Sequence, residues 1–236
     1  MISTHTISAI CLLSIILISG FAPSSLCAAD NTFPTFVQGL VGAAQFSEDD
    51  LTFAETSAVD GTTSDNDLSQ MPYVGLAFQQ PFRGDAITQV GLDGSILFGW
   101  RSNNTRAVAG NGQIAVSIDS SLLLVDLSIG LFAKHSINER WRLYAAAGPA
   151  IVFGDYSDDT DEEVLETATV TTSNRSVSEF GAGFYGRAGF DYQYSPNAYV
   201  GVCVRGIKTS LEFDDAPEAS SGLSGAQGFL TFSRDF

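Results

Sequence analysis

The sequence predicts an all-β protein: an eight-stranded antiparallel up-and-down transmembrane β-barrel. Three observations predict it. Long stretches alternate apolar and polar residues, the stretches are longer than soluble strands, and the connectors between them alternate long and short. Alternation marks strands because successive side chains leave a pleated backbone on opposite faces. In the clearest stretch Phe180, Ala182, Phe184, Gly186, Ala188, Phe190, Tyr192 and Tyr194 share one face. Gly181, Gly183, Tyr185, Arg187, Gly189, Asp191 and Gln193 share the other.

The first element precedes the barrel. Ala9 to Gly20 is an almost unbroken apolar run, followed by Pro23 and small residues up to Ala29. This is the pattern of a cleaved signal peptide, residues 1–29, with the barrel domain over 30–236. The run is short of the ~20 residues a helix needs to span a bilayer. Cleavage removes Cys11 and Cys27 and leaves Cys203 alone, so no intramolecular disulfide is expected.

Eight strands are then read over 35–46, 71–82, 87–101, 118–134, 140–154, 178–194, 198–211 and 224–236. Each exceeds the about 9–11 residues with which a tilted strand crosses a bilayer, whereas soluble strands average ~5–6. The short connectors carry turn residues: Arg83-Gly84-Asp85, His135 to Glu139, and Ser195-Pro196-Asn197. In a meander every second connector lies at the same end, so one end is trimmed tight and the other carries the long loops. That is the asymmetry of membrane barrels, with both termini at the short-turn, periplasmic end. Trp100, Trp141, Tyr194, Tyr199, Phe232 and Phe236 lie near strand ends, where two interfacial girdles belong. A closed barrel also satisfies every backbone amide in lipid, as open sheets cannot.

The last strand ends Gly228-Phe229-Leu230-Thr231-Phe232-Ser233-Arg234-Asp235-Phe236. It resembles the C-terminal insertion signal of bacterial outer-membrane proteins, which makes Phe236 its key residue and the barrel-assembly machinery a partner. With Arg142 to Pro149 (RLYAAAGP) and the architecture, the mature chain resembles the small outer-membrane barrel superfamily of OmpA-domain, OmpX and opacity-type proteins. The resemblance implies outer-membrane lipid and lipopolysaccharide as surroundings. It also implies a role among adhesion, envelope stabilisation, immune evasion or a narrow pore, with a host or surface ligand as a further partner. The peptidoglycan-binding domain of full OmpA-type proteins has no counterpart here.

Alternation places Asp93, Asp126, Arg187, Asp191 and Arg205 in the lumen, along with Leu97, Leu122, Leu124, Phe132 and Phe229. An eight-stranded lumen is narrow enough for side chains to fill. Two acids and two bases at one height, Asp93, Asp126, Arg187 and Arg205, are expected to neutralise one another, because an unpaired buried charge costs several kcal/mol. The expected result is a salt-bridged plug completed by Tyr185 and glutamines. The alternative is an ion pathway or gate through the same residues.

Acids outnumber bases 27 to 11, a net charge of −16, which excludes a nucleic-acid partner. The acids gather in the long connectors, as in Asp155, Asp158, Asp159, Asp161, Glu162 and Glu163. These are read as solvated loops, with divalent-cation binding or attraction of a basic surface as sharper alternatives. They lack the glycine and spacing of an EF-hand, so no defined metal site is assigned. His135, the one histidine of the mature chain, falls in a short turn beside Ser136 and builds no nucleophile–base pair. No enzyme activity and no cofactor are expected. A soluble lipocalin-type barrel would alternate too, with its apolar face inside. Strand length, loop asymmetry and Phe236 favour the membrane.

Overall fold

The computed structural model describes residues 33–47, 51–56, 63–109, 114–164, 169–213 and 222–236. The leader, residues 1–29, lies outside the described residues, as do parts of the acidic connectors at 48–50, 57–62 and 214–221.

Ten strands follow in order: β1 (Phe36–Phe46), β2 (Thr52–Thr56), β3 (Thr63–Asp67), β4 (Gln70–Gly84), β5 (Thr88–Ala109), β6 (Ile114–Ser136), β7 (Trp141–Val164), β8 (Thr169–Ser195), β9 (Ala198–Thr209) and β10 (Ser224–Asp235). Eight close an antiparallel barrel in the order β1-β10-β9-β8-β7-β6-β5-β4, and β2 and β3 form a separate hairpin. Closure is made by the chain ends: β1 pairs with β10 from Phe36↔Asp235 to Phe46↔Gly225. Thr35 and Phe236 exchange backbone hydrogen bonds of 3.2 and 2.9 Å.

The barrel is sheared. From Gly99 the register runs to Tyr73, Gly42, Phe229, Cys203, Gly189, Tyr144, Lys134 and then Gln89. One circuit returns to β5 at residue 89 instead of 99, a stagger of 10 residues (99 − 89). Such a stagger tilts the strands against the barrel axis.

The faces follow the alternation. Asp93, Asp126, Arg187, Asp191 and Arg205 are buried inside, while Val41, Val74, Phe78, Leu127, Ile129, Leu131, Ile151, Phe184, Val204 and Leu230 are exposed outside. The sheet has its polar side inward, opposite to a soluble lipid carrier. Trp100, Trp141, Tyr194, Phe232 and Phe236 point outward, as girdle residues should. Tyr199 does not: it shares the inward parity of Cys203 and Arg205, and its ring lies 3.6 Å from the Arg142 guanidinium carbon.

The short turns fall at the expected places, with Asn197 in the left-handed conformation (φ 63°) that Asn tolerates. The long connectors differ from expectation. Asp155, Asp158, Asp159, Asp161, Glu162 and Glu163 are not loop residues; they belong to β7, which pairs with β6 and β8 up to Val164. Likewise 102–109 and 114–117 belong to β5 and β6, not to a loop. The connector after β1 contains the β2–β3 hairpin. Beyond the closed part of the barrel the apolar alternation fades while ladder pairing continues.

Candidate functional site

The lumen is built in three layers. The middle layer holds the predicted ionic residues. Arg187 on β8 forms a salt bridge with Asp93 on β5. Asp93 also accepts hydrogen bonds from Tyr185 Oη (2.6 Å) and Gln79 Nε2 (3.1 Å). Arg205 on β9 grips Asp126 on β6 with both terminal nitrogens, at 2.6 and 3.0 Å, and Nη1 also donates to Gln227 Oε1 at 2.7 Å. This fork-on-fork geometry is a bidentate, charge-assisted contact, stronger than a neutral hydrogen bond. All four ionic side chains are nearly fully buried, and their charges cancel.

Asp191 stands apart from this belt, nearer the short-turn end. Its partner is Arg142, at 3.0 Å from Nε, with Thr231 Oγ1 donating at 2.9 Å. Arg142 also reaches Asp235 (3.4 Å) and Ser233 Oγ (2.8 Å), and lies between the rings of Phe36 and Tyr199. Lys134 Nζ sits 3.4 Å from the centre of the same Phe36 ring. Arg142 and Lys134 are lumen bases that the sequence reading passed over. The signal was parity: both share the alternation that placed Asp126 and Asp191 inside, at the far ends of their strands.

The third layer closes the opposite mouth. Phe46, Leu51, Leu68, Met71, Leu122, Leu124, Tyr156, Leu211, Phe213 and Leu223 are buried in one apolar cluster. Leu51 and Leu68 flank the β2–β3 hairpin, and Leu211, Phe213 and Leu223 flank 214–221, so the described flanks of these connectors turn into the barrel mouth. Leu68 is 0% exposed and Leu51 1%, so both side chains are packed inside the cluster.

Beyond the mouth, β5, β6, β7 and β8 continue as a four-stranded extension. Its outward face carries polar rows across the strands: Ser102, Ser121, Ser157 and Ser176 in one, and Asn104, Asp119 and Asp159 in the next. Asp119 and Asp159 stand directly opposite one another. Ser178 Oγ donates to Asp155 at 2.6 Å. Among the described residues no group of three acid, histidine or cysteine side chains is arranged to hold a metal ion. His135 Nδ1 lies 3.0 Å from Thr88 Oγ1 at the short-turn end, and Phe236 closes the ladder beside Thr35.

The fold defines the chain as a closed eight-stranded antiparallel β-barrel with an apolar outer face. No protein-family model and no curated protein sequence matches it. Among solved structures it is similar to Ail, the attachment invasion locus protein of Yersinia pestis, at 12% identity and a TM-score of 0.41, over 86% of this chain and 99% of that one. It is similar to Neisserial surface protein A at 9% identity and 0.36, over 86% and 97%. It is also similar to the outer-membrane protease OmpT of Escherichia coli at 10% identity and 0.40, over 90% and 100%. Those structures are outer-membrane barrels of differing roles, and the likeness assigns none of the roles to this chain.

Proposed function

We propose that the chain is a bacterial outer-membrane barrel that holds an acidic strand extension at the cell surface, serving surface interaction or envelope structure, and that it does not conduct. The observation that carries this reading is the double closure of the lumen. A neutral ionic belt lies at mid-height, and an apolar cluster sits in the mouth above it. A pore would need a continuous polar path, and a layer of Leu and Phe offers none. The outward apolar belt supports insertion in lipid, with the leader 1–29 removed on export and Phe236 presented for insertion by the assembly machinery. The short turns and both termini then face the periplasm, and lipopolysaccharide surrounds the foot of the extension.

The belt residues Asp93, Asp126, Arg187 and Arg205 act as a structural plug, and Asp191 with Arg142 as a second clasp. The test is single-channel recording on refolded protein in planar bilayers. The expected result is a silent bilayer. Discrete openings at neutral pH would replace the display reading with the narrow-channel one.

A further inference from the structure

We propose that the short-turn end of the lumen is a blind binding site for a small oxyanion that keeps a proton, bicarbonate or dihydrogen phosphate, held between Lys134 and Gln38. The inference is independent of the display reading, since it needs only a lumen open to water at that end. Lys134, Arg142, Arg187 and Arg205 are all buried in the lumen. Arg142 meets Asp191 and Asp235, Arg187 meets Asp93, and Arg205 meets Asp126. Lys134 is the exception. Among the described residues no carboxylate forms a salt bridge with its Nζ, and the nearby Asp191 and Asp235 are spent on Arg142. Its Nζ lies instead 3.4 Å from the centre of the Phe36 ring, and the Arg142 guanidinium carbon lies 4.4 Å from the same centre. Two cations against one ring repel each other, and a buried cation without a counter-charge is costly. An anion taken from solution supplies that charge.

Gln38 is the second, separate observation. It is 0% exposed, and among the described residues neither its Nε2 nor its Oε1 has a hydrogen-bond partner. Buried amides are almost always paired, so such a group marks a place where something else binds. Gln38 lies two residues along the inward face of β1 from Phe36, whose ring Lys134 touches, so amide and ammonium share one chamber. Gln79 stands opposite Phe36 in register and donates to Asp93, which closes the chamber towards the ionic belt. Towards the short turns, Gln89 pairs with Lys134 across β5 and β6, and its Oε1 is also unpartnered. Lys134 and Gln89 keep 7% and 8% exposure, which leaves the chamber reachable from that end.

The unsatisfied groups choose the guest. Lys134 offers donors alone, while each glutamine amide offers donors and an acceptor. A carboxylate or a halide accepts from Lys134 and Gln38 Nε2 and leaves the amide oxygens unpaired, which is costly in a buried site. An oxyanion that carries a hydroxyl accepts from the same donors and gives its own O–H to Oε1 of Gln38 or Gln89. Size narrows the choice further. An eight-stranded lumen is one that side chains nearly fill, so it takes an ion of a few heavy atoms and excludes larger phosphate esters. The belt of Asp93, Asp126, Arg187 and Arg205 stands between this chamber and the opposite mouth, so the ion enters and leaves by one end.

The test uses the mature chain refolded in detergent micelles. Its side-chain amide signals are followed by heteronuclear NMR during titration with sodium bicarbonate, sodium phosphate or sodium formate at constant ionic strength. Bicarbonate, phosphate or both should shift the Gln38 and Gln89 signals saturably, and the one that does so names the source. Formate, which has no hydroxyl, should bind at least ~10-fold more weakly. K134M removes the charge and keeps the stem, and should abolish the saturable shift of Gln89 and Gln38 while the barrel keeps its heat-dependent gel mobility. Q38L leaves every charge in place, should weaken binding at least ~10-fold at the Gln89 signal, and carries the comparison if K134M does not refold. No saturable shift with either hydroxyl-bearing oxyanion overturns the proposal. Binding unchanged in the variants also overturns it, because the ions would then sit elsewhere on the chain. Formate bound as tightly as the oxyanions overturns the assignment of the guest. A conducting barrel that still shows the Gln38 shift would remove the display reading and leave this site standing.

Discussion

At the residue scale, the lumen shows how charge is made tolerable inside a closed barrel. Asp126 is 1% exposed and would be intolerable alone, yet Arg205 meets both its oxygens and Gln227 occupies a further donor of that guanidinium. Removing one partner strands the other, which costs about 3–5 kcal/mol in a buried pair. Arg205→Ala should lower the stability of the refolded barrel by that order in a urea titration. A double change, Asp126→Leu with Arg205→Met, should recover most of the loss because no orphan charge remains. At the short-turn end, Asp85 caps the turn between β4 and β5, accepting from the amides of Thr88 (2.7 Å) and Ile87 (2.8 Å). These amides, Thr88 first, hold its carboxyl below the ordinary value. A depressed folded value means that the turn's contribution is present above the unfolded pKa of ~3.9 and is lost as pH falls through the folded value. Asp85→Asn should therefore flatten the dependence of melting temperature on pH below about 4, as scanning calorimetry can follow.

At the element scale, strand alternation made much of this protein legible, and its fading hid the rest. Phe180 to Tyr194 and Ile118 to Lys134 read as strands because one face is outward and apolar and the other meets the lumen. Asp155 to Glu163 read as a loop because, above the mouth, no apolar surface disciplines either face. The same cause concealed the β2–β3 hairpin. The belt residues were legible because a charge within an apolar stretch has one place to go. Arg142 and Lys134 were not, since bases near strand ends look like interfacial residues until the barrel is closed. Tyr199 was misread for the same reason. Register also explains a pairing that alternation cannot: the buried ring of Tyr144 lies over Gly189 on the neighbouring strand, where any Cβ would collide with it. Gly189→Val should cost roughly 1–3 kcal/mol by overpacking, read as a lower urea midpoint. The extension, by contrast, adds nothing to barrel closure. Joining Asn103 to Ser120 by an Asn-Gly turn, which suits a two-residue hairpin, should leave a barrel with unchanged heat-dependent gel mobility.

At the scale of the whole molecule, the two closures act in series, and series closure makes a specific forecast. The apolar lid of Leu51, Leu68, Leu211, Phe213 and Leu223 hangs from connectors, while the ionic belt of Asp93, Asp126, Arg187 and Arg205 hangs from β5, β6, β8 and β9 themselves. Elements with few ladder bonds open first, so the lid is the softer closure. Leu68→Ala with Phe213→Ala should thin the lid, yet ions would still meet a belt whose charges are spent on one another. Asp126→Ala with Arg205→Ala should thin the belt, yet ions would still meet packed Leu and Phe. Each pair alone should leave a planar bilayer silent, and the four changes together should produce discrete openings. If either pair alone conducts, the remaining layer does not seal the lumen, and the barrel has one barrier where the structure places two.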